Sequence, residues 1–148
     1  MAILFRYINI LREDGTLRRA PYIPVWIRNK DNALEQFSAL IDSGADSCVM
    51  PFDLAEYLGV QQQGVSEKTM GIGGTVGVKR AQVSLTIKSQ RERYELLLPV
   101  LVAQNSELNI PFILGRNGFF ENFHILFRQN ELKISLKKVA PKYTRGHK

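Results

Sequence analysis

The sequence predicts an all-β single domain with one or two short helices. Short apolar runs, several of them alternating with polar residues, recur along the chain, turn-forming residues separate them, and only two segments suit a helix. A length of 148 residues is enough for one domain with its own hydrophobic core. We expect the domain to cover residues 1–137, including an N-terminal extension over about the first 20 residues. Residues 138–148 are expected to form a basic, flexible tail.

The predicted elements follow from the apolar runs and the turns between them. Strands are predicted over residues 3–11, 22–29, 35–41, 47–50, 78–88, 94–102, 112–114, 123–127 and 132–136. A helix is predicted over residues 52–58, because Pro51 suits a helix start and Gly59 a helix end. A second short helix is predicted after Gly115, up to about residue 122.

The net charge of +6 is concentrated near the C-terminal end. Residues 131–148 contain six basic residues and one acidic residue, whereas residues 1–130 contain 14 basic and 13 acidic residues. The main part of the chain is therefore nearly neutral. A nucleic-acid partner is consistent only with the basic tail, which also reads as an ordinary solvated terminus.

The chain carries no sign of secretion or membrane insertion. The apolar residues 1–11 are interrupted by Arg6, and no small-residue cleavage site follows them. No uninterrupted apolar run approaches the roughly 18 residues of a membrane-spanning helix. With Cys48 as its single cysteine, the chain cannot form an internal disulfide. We expect a cytoplasmic protein without a membrane partner.

Asp42 is the strongest candidate for a chemical role. An apolar run ends at Ile41, and Asp42, Ser43 and Gly44 follow at once. The glycine lets the chain turn sharply and bring backbone N–H groups towards the carboxylate, which favours its ionised form. On this tripeptide alone, a plain turn in which the aspartate caps backbone N–H groups is the commoner interpretation.

Two further motifs lie in chain order after Asp42. Residues 70–75 form a glycine-rich segment that suits a hairpin tip, and residues 111–120 form an apolar strand that runs through Gly115 into Arg116 and Asn117. Together the three motifs resemble those of the retropepsins, the retroviral-type aspartic proteases, over about residues 20–137. The resemblance implies an acid-protease barrel with a flap that closes over a peptide or protein substrate.

The resemblance also implies a role for each residue that matches a motif. Asp42 would be the catalytic carboxylate, and Ser43, Gly44 and Ala45 would complete the active-site loop. Residues that would contact substrate are Asp46 in that loop and Gly71, Ile72, Gly73 and Gly74 in the flap. Arg116 would support the loop through a partly buried pair with Asp46. Here Ser43 stands where many members have threonine, and the N-terminal extension and basic tail are additions to the pattern.

The sequence holds one Asp-Ser-Gly, whereas aspartic proteolysis uses two facing carboxylates. The expected enzyme is therefore a homodimeric aspartic endopeptidase with Asp42 from each chain, without metal or other cofactor. His124 and His147 lie in a strand and in the tail, which disfavours a metal site. The alternative is a catalytically weak or inactive module of the same fold that binds peptides or partners, with the basic tail docking on nucleic acid.

Overall fold

The structure is a computed structural model that describes residues 2–71 and 74–140. Its strands are β1 (Ala2–Arg6), β2 (Ile8–Leu11), β3 (Leu17–Ala20), β4 (Tyr22–Arg28), β5 (Leu34–Ile41), β6 (Cys48–Met50), β7 (Gln63–Gly71), β8 (Gly74–Lys88), β9 (Arg93–Ala103), β10 (Phe112–Leu114), β11 (Phe123–Arg128) and β12 (Lys133–Lys138). The helix α1 covers Phe52–Leu58. The all-β prediction with few helices is confirmed.

Six strands close into a barrel that forms the body of the domain. Their order is β4-β5-β10-β6-β9-β8, and the pairing of Trp26 with Thr86 joins β8 back to β4. Val83, Leu85 and Ile87 alternate along β8 as the sequence predicts, and all three are buried. Because every second residue of a strand faces inward, the barrel core is built from such alternating positions.

The helix α1 has the predicted ends. Pro51 precedes its first turn with φ −60° and ψ 148°, and Gly59 ends it in the left-handed conformation at φ 69°. Ala55 and Leu58 are the buried residues of the helix. The helix thus packs one face on the barrel and leaves Asp53 exposed at its first turn.

The second predicted short helix is confirmed only as a 3-10 helix and not as an α-helix. The segment after β10 contains only a 3-10 turn over Phe120–Asn122. Gly118 adopts φ 95°, and its N–H donates to Glu121 Oε1 at 2.7 Å, so the chain turns too tightly here for an α-helix. Phe119, which is fully buried, anchors this turn in the core.

The predicted strand over residues 3–11 is divided in two. The strand β1 ends at Arg6 and β2 begins at Ile8, and between them the Tyr7 N–H donates to the Leu132 carbonyl at 2.8 Å. The strand β1 then pairs with β12 in a three-stranded sheet of order β1-β12-β11, while β2 pairs with β3 in a separate hairpin. The strand β3 was not predicted, because its exposed arginines Arg18 and Arg19 weaken its apolar pattern.

Two predicted features lie outside the described residues. They are the flap positions Ile72 and Gly73 and residues 141–148 of the basic tail. Within residues 2–71 and 74–140, no helix has the length and apolar character needed to cross a membrane.

Candidate active site

The Asp42 loop, residues 42–47, begins where β5 leaves the barrel. The Asp42 N–H donates to the Leu114 carbonyl at 3.1 Å, which ties the start of the loop to β10. The Gly44 N–H donates to Asp42 Oδ1 at 2.9 Å, and the Ala45 N–H donates to the Asp42 carbonyl at 3.2 Å. The carboxylate is therefore oriented by a backbone donor two residues further on, as glycine after aspartate predicts.

A second segment crosses beneath this loop. The strand β10 lies between β5, to which it is parallel, and β6, to which it is antiparallel. Directly after β10, the Arg116 N–H donates to the Ala45 carbonyl at 2.9 Å and the Asn117 N–H donates to the Asp46 carbonyl at 2.8 Å. The backbone of the Asp42 loop is thus held by the segment that follows β10.

Gly115 permits this close crossing. A Cβ atom at this position would lie 2.4 Å from the Ser47 carbonyl oxygen and 2.8 Å from that of Ala45. Both contacts are shorter than a Cβ atom can make, and both involve backbone atoms that cannot rotate away. Only glycine fits between the two segments without displacing the Asp42 loop.

Arg116 and Asp46 form the predicted contact. The Arg116 Nη2 group is ion-paired with Asp46 Oδ1, and Nη1 donates to the Ser43 carbonyl at 3.0 Å. The expected partial burial is wrong for the chain as described, because the side chains are 54% and 79% exposed. The pair therefore bridges the two ends of the loop at the surface, where solvent weakens its electrostatic contribution.

Cys48 is a fully buried residue beside the crossing, as expected of a structural cysteine. Its Sγ accepts a hydrogen bond from the Gly115 N–H at 3.3 Å. Burial raises the pKa of the Cys48 thiol to about 11, so the thiol stays protonated near neutral pH. Sequence reasoning found the burial but missed the hydrogen bond, because no local pattern pairs residues 48 and 115.

The predicted flap is a hairpin of β7 and β8. Gly71 and Gly74 face each other at its end, beside the two positions that the structure does not describe. Lower in the hairpin, Arg80 Nε donates to Glu67 Oε2 at 2.8 Å and Arg80 Nη2 donates to Glu67 Oε1 at 3.0 Å. This bidentate pair raises the pKa of Arg80 and links the two strands.

The predicted site residues fall into two groups in space. The structure brings together Asp42, Ser43, Gly44, Ala45, Asp46 and Arg116, through the contacts of the Asp42 loop. Asp42 and Ala45 are half-buried, whereas Ser43, Gly44 and Asp46 are exposed. Gly71 and Gly74 belong to the other group, at the end of the hairpin. The surface of the Asp42 loop is therefore available to a partner.

The comparisons with known proteins agree with this architecture. The family model described as "Aspartyl protease" matches residues 23–117, well over half of the chain. A closed barrel with an Asp-Ser-Gly loop at a strand end is the retropepsin-like class of fold. The chain belongs to the aspartyl protease family.

Two solved structures are similar to the chain. A retropepsin-like aspartic protease from Rickettsia conorii matches with 16% identity and a TM-score of 0.54, covering 92% of this chain and 90% of that one. The EIAV protease in complex with the inhibitor HBY-793 matches with 24% identity and a TM-score of 0.46, covering 66% of this chain and 83% of that one. No curated protein sequence matches the chain. At these identities the first structure supports the fold alone.

Proposed function

We propose that two copies of this chain form an aspartic endopeptidase with Asp42 as the catalytic residue of each copy. The observation that carries the proposal is the position of the Asp42 carboxylate, which is oriented by the Gly44 N–H in an otherwise exposed loop. One such loop supplies one carboxylate, whereas the reaction uses an acid and a base together. A second copy related by a two-fold axis supplies the other.

The proposed mechanism follows from the pairing of two like charges. Two carboxylates a few ångströms apart cannot both stay ionised, so the pair retains one proton over a range of pH. The ionised Asp42 takes a proton from a water molecule, which attacks the peptide carbonyl carbon. The protonated Asp42 of the other copy donates to the carbonyl oxygen, and the tetrahedral intermediate then collapses with proton transfer to the leaving amine.

The remaining site residues are proposed to hold the loops and the substrate. Ser43 lies next to Asp42 on the exposed side of the loop, where its hydroxyl can hydrogen-bond to the second copy. Gly44 and Asp46 offer backbone and carboxylate groups to a substrate backbone, and Ala45 lines the same loop. The glycines of the hairpin, together with Ile72, are proposed to cover the substrate from the other side.

The proposal includes the domain limits and the location. The catalytic domain is proposed to cover residues 1–137, with an N-terminal extension over about the first 20, followed by a basic tail from residue 138. A cytoplasmic location is proposed because Cys48, the single cysteine, is a free buried thiol.

A peptide-binding module is the second candidate. Among the described residues, the strand β7 ends the seven-stranded sheet and pairs within it only with β8. Its other edge carries backbone groups that an extended peptide could pair with by strand addition. In this case the chain would bind peptides and cleave them slowly or not at all.

The test is cleavage of a degenerate peptide library at several pH values. Asp42→Asn keeps the shape of the side chain and removes the ionisable group from both copies, so we expect activity to fall by at least about a thousandfold. Asp53→Asn is the matched control, because Asp53 is exposed in the first turn of α1. Unchanged cleavage by a folded Asp42→Asn variant would exclude Asp42 as the catalytic residue. Peptide binding without cleavage by the unaltered chain at every pH would favour the binding module.

A further inference from the structure

The outer face of the β1-β12-β11 sheet carries none of the residues assigned to the proposed protease site. Cross-strand partners share a face, so the register divides the nine outer positions into three rows. These rows are Ala2–Lys137–His124, Leu4–Ser135–Leu126 and Arg6–Lys133–Arg128. The opposite face includes Ile3, Ile134 and Leu136, which are buried. The outer face is thus the solvent side of a sheet whose inner side belongs to the core.

The charge of this outer face has one sign. Four of its nine positions are lysine or arginine, one is histidine, and none is acidic. Glu131 in the β11–β12 turn is an acidic neighbour of this face, and its Oε1 lies 3.9 Å from Arg128 Nη1. Further basic residues, Lys142, Arg145 and Lys148, follow β12 in the sequence. The face therefore attracts a negatively charged partner.

Two leucines occupy the middle row of the outer face. Leu4 is 50% exposed and Leu126 is 53% exposed. A row of three basic residues lies about 7 Å away on one side, and a row that contains Lys137 lies as far away on the other. At a lipid surface, lysine and arginine side chains can extend so that their charged ends stay in water while neighbouring apolar side chains insert into the lipid. An apolar centre between cations is the arrangement that binds a lipid surface by charge and by insertion together.

Nucleic acid fits this outer face less well. Its nine positions contain no Phe, Tyr or Trp on which a base could stack, and the single histidine, His124, lies in an outer row. Leucines gain nothing from contact with a phosphate backbone, which rewards the cations alone.

A second copy of the chain that meets this outer face with its own outer face also fits less well. A two-fold contact would set the four cations of one copy against the same four of the other. Pairing along a strand edge would instead leave the outer face open and place two such faces side by side.

We propose that the outer face of the β1-β12-β11 sheet docks on an anionic lipid surface, with Leu4 and Leu126 inserting between the flanking cations. This differs from the sequence-based expectation of no membrane partner, which rested on the absence of a long apolar run. Leucines at alternate positions of two strands produce no such run, and only the register brings them together.

The experiment is flotation of the full chain with vesicles at low salt. One vesicle population is phosphatidylcholine alone, and the other is an equimolar mixture of phosphatidylglycerol and phosphatidylcholine. We expect binding to the mixed vesicles only, and weaker binding as salt is raised. Lys133→Gln with Lys137→Gln should reduce the partition coefficient roughly 25-fold, about fivefold for each cation.

Two further variants separate the contributions of charge and insertion. Arg18→Gln with Arg19→Gln removes the same charge from the β2–β3 hairpin and should change the partition coefficient little. Leu4→Thr with Leu126→Thr keeps the charge and a high strand propensity, and should lower it about tenfold. The far-ultraviolet spectrum checks that each variant is folded.

Four outcomes would overturn the proposal. The first is that the chain does not bind to the mixed vesicles. The second is that the two charge variants lower the partition coefficient equally, and the third is that the leucine variant binds like the unaltered chain. The fourth is a leucine variant that dissociates a dimer in sedimentation, which would assign the outer face to a second copy. If vesicle binding is absent, oligonucleotide binding would assign the face to nucleic acid, provided that the lysine variant loses this binding and the leucine variant keeps it. These readouts do not depend on peptidase activity, so the proposed function is tested separately.

Discussion

The Asp42 loop and the β7–β8 hairpin are held in place by different kinds of contact. The loop is crossed by the segment after β10, which donates two backbone hydrogen bonds to it and leaves no room for a side chain at Gly115. The hairpin beyond the barrel is held by its own strand pairing, by an exposed ion pair between Glu67 and Arg80, and by the Gln104 N–H, which donates to the Gly77 carbonyl at 2.9 Å. The proposed catalytic group thus lies on a fixed support, and the proposed substrate cover lies on a segment with fewer constraints.

This difference matters because the loop is exposed although its backbone is fixed. Ser43, Gly44 and Asp46 face solvent in the single chain, while the hydrogen bonds that orient Asp42 are already formed. A partner copy would therefore add the second carboxylate without having to rebuild the loop. Three predictions test this comparison, in order of expected effect.

The largest effect is expected from dilution. If the site needs two copies of the Asp42 loop, activity per chain should fall to nearly zero as the dimer dissociates, with a rate second order in chain where monomers dominate. Activity and sedimentation are measured over the same concentration range. A monomer that keeps full activity would contradict both the dimer and the paired-carboxylate mechanism.

The next effect distinguishes the two glycine environments. Gly115→Ala places a Cβ atom against two backbone carbonyls, so we expect the free energy of unfolding to fall by about 3 kcal/mol, at the upper end for an overpacked site. Gly77→Ala in β8 is the matched control. There the nearest atom is Ser66 Oγ at 3.1 Å, a side-chain atom that can rotate away, and we expect a loss below about 1 kcal/mol.

Urea unfolding of both glycine variants measures the difference. Equal losses would mean that the crossing beneath the Asp42 loop is no tighter than the hairpin, and the contrast between the two regions would be wrong.

The smallest effect concerns the two exposed arginine pairs. Arg80→Ala removes a surface pair whose side chains are 67% and 44% exposed, so we expect a change within about 1 kcal/mol. Arg116→Ala also removes a hydrogen bond to the Ser43 carbonyl, and should cost about 1–2 kcal/mol. Because Arg116 joins the two ends of the Asp42 loop, its variant should also lose peptidase activity beyond its loss of stability. If Arg80→Ala loses more activity than Arg116→Ala, the activity depends more on the hairpin than on the Asp42 loop.

Local patterns were enough to predict much of the candidate site. Asp42 at the end of an apolar run, with Gly44 two residues later, predicts an oriented carboxylate because the chemistry lies within three residues. Pro51 and Gly59 likewise predict both ends of α1 from their own backbone preferences. The family resemblance added the contact between Arg116 and Asp46, which no local pattern contains.

The second helix shows where local patterns fail. The segment after Gly115 has the composition of a short helix, yet Gly118 adopts a positive φ and the burial of Phe119 fixes the turn. Tertiary packing outweighs a helix propensity of a few tenths of a kcal/mol per residue.

The sequence by itself determined the strand-rich fold class and the position of Asp42, and it led to the proposal of a second carboxylate, because each rests on neighbouring residues or on a count. Only the tertiary structure decided which strands pair and what the pairing brings together. The closure of the barrel through Trp26 and Thr86 joins residues 60 positions apart, and the close approach of Gly115 to Ser47 joins residues 68 positions apart. The row of Leu4 and Leu126 joins the two ends of the domain through a shared partner in β12. Such contacts depend on register over the whole fold, and a register carries no signal within any one strand.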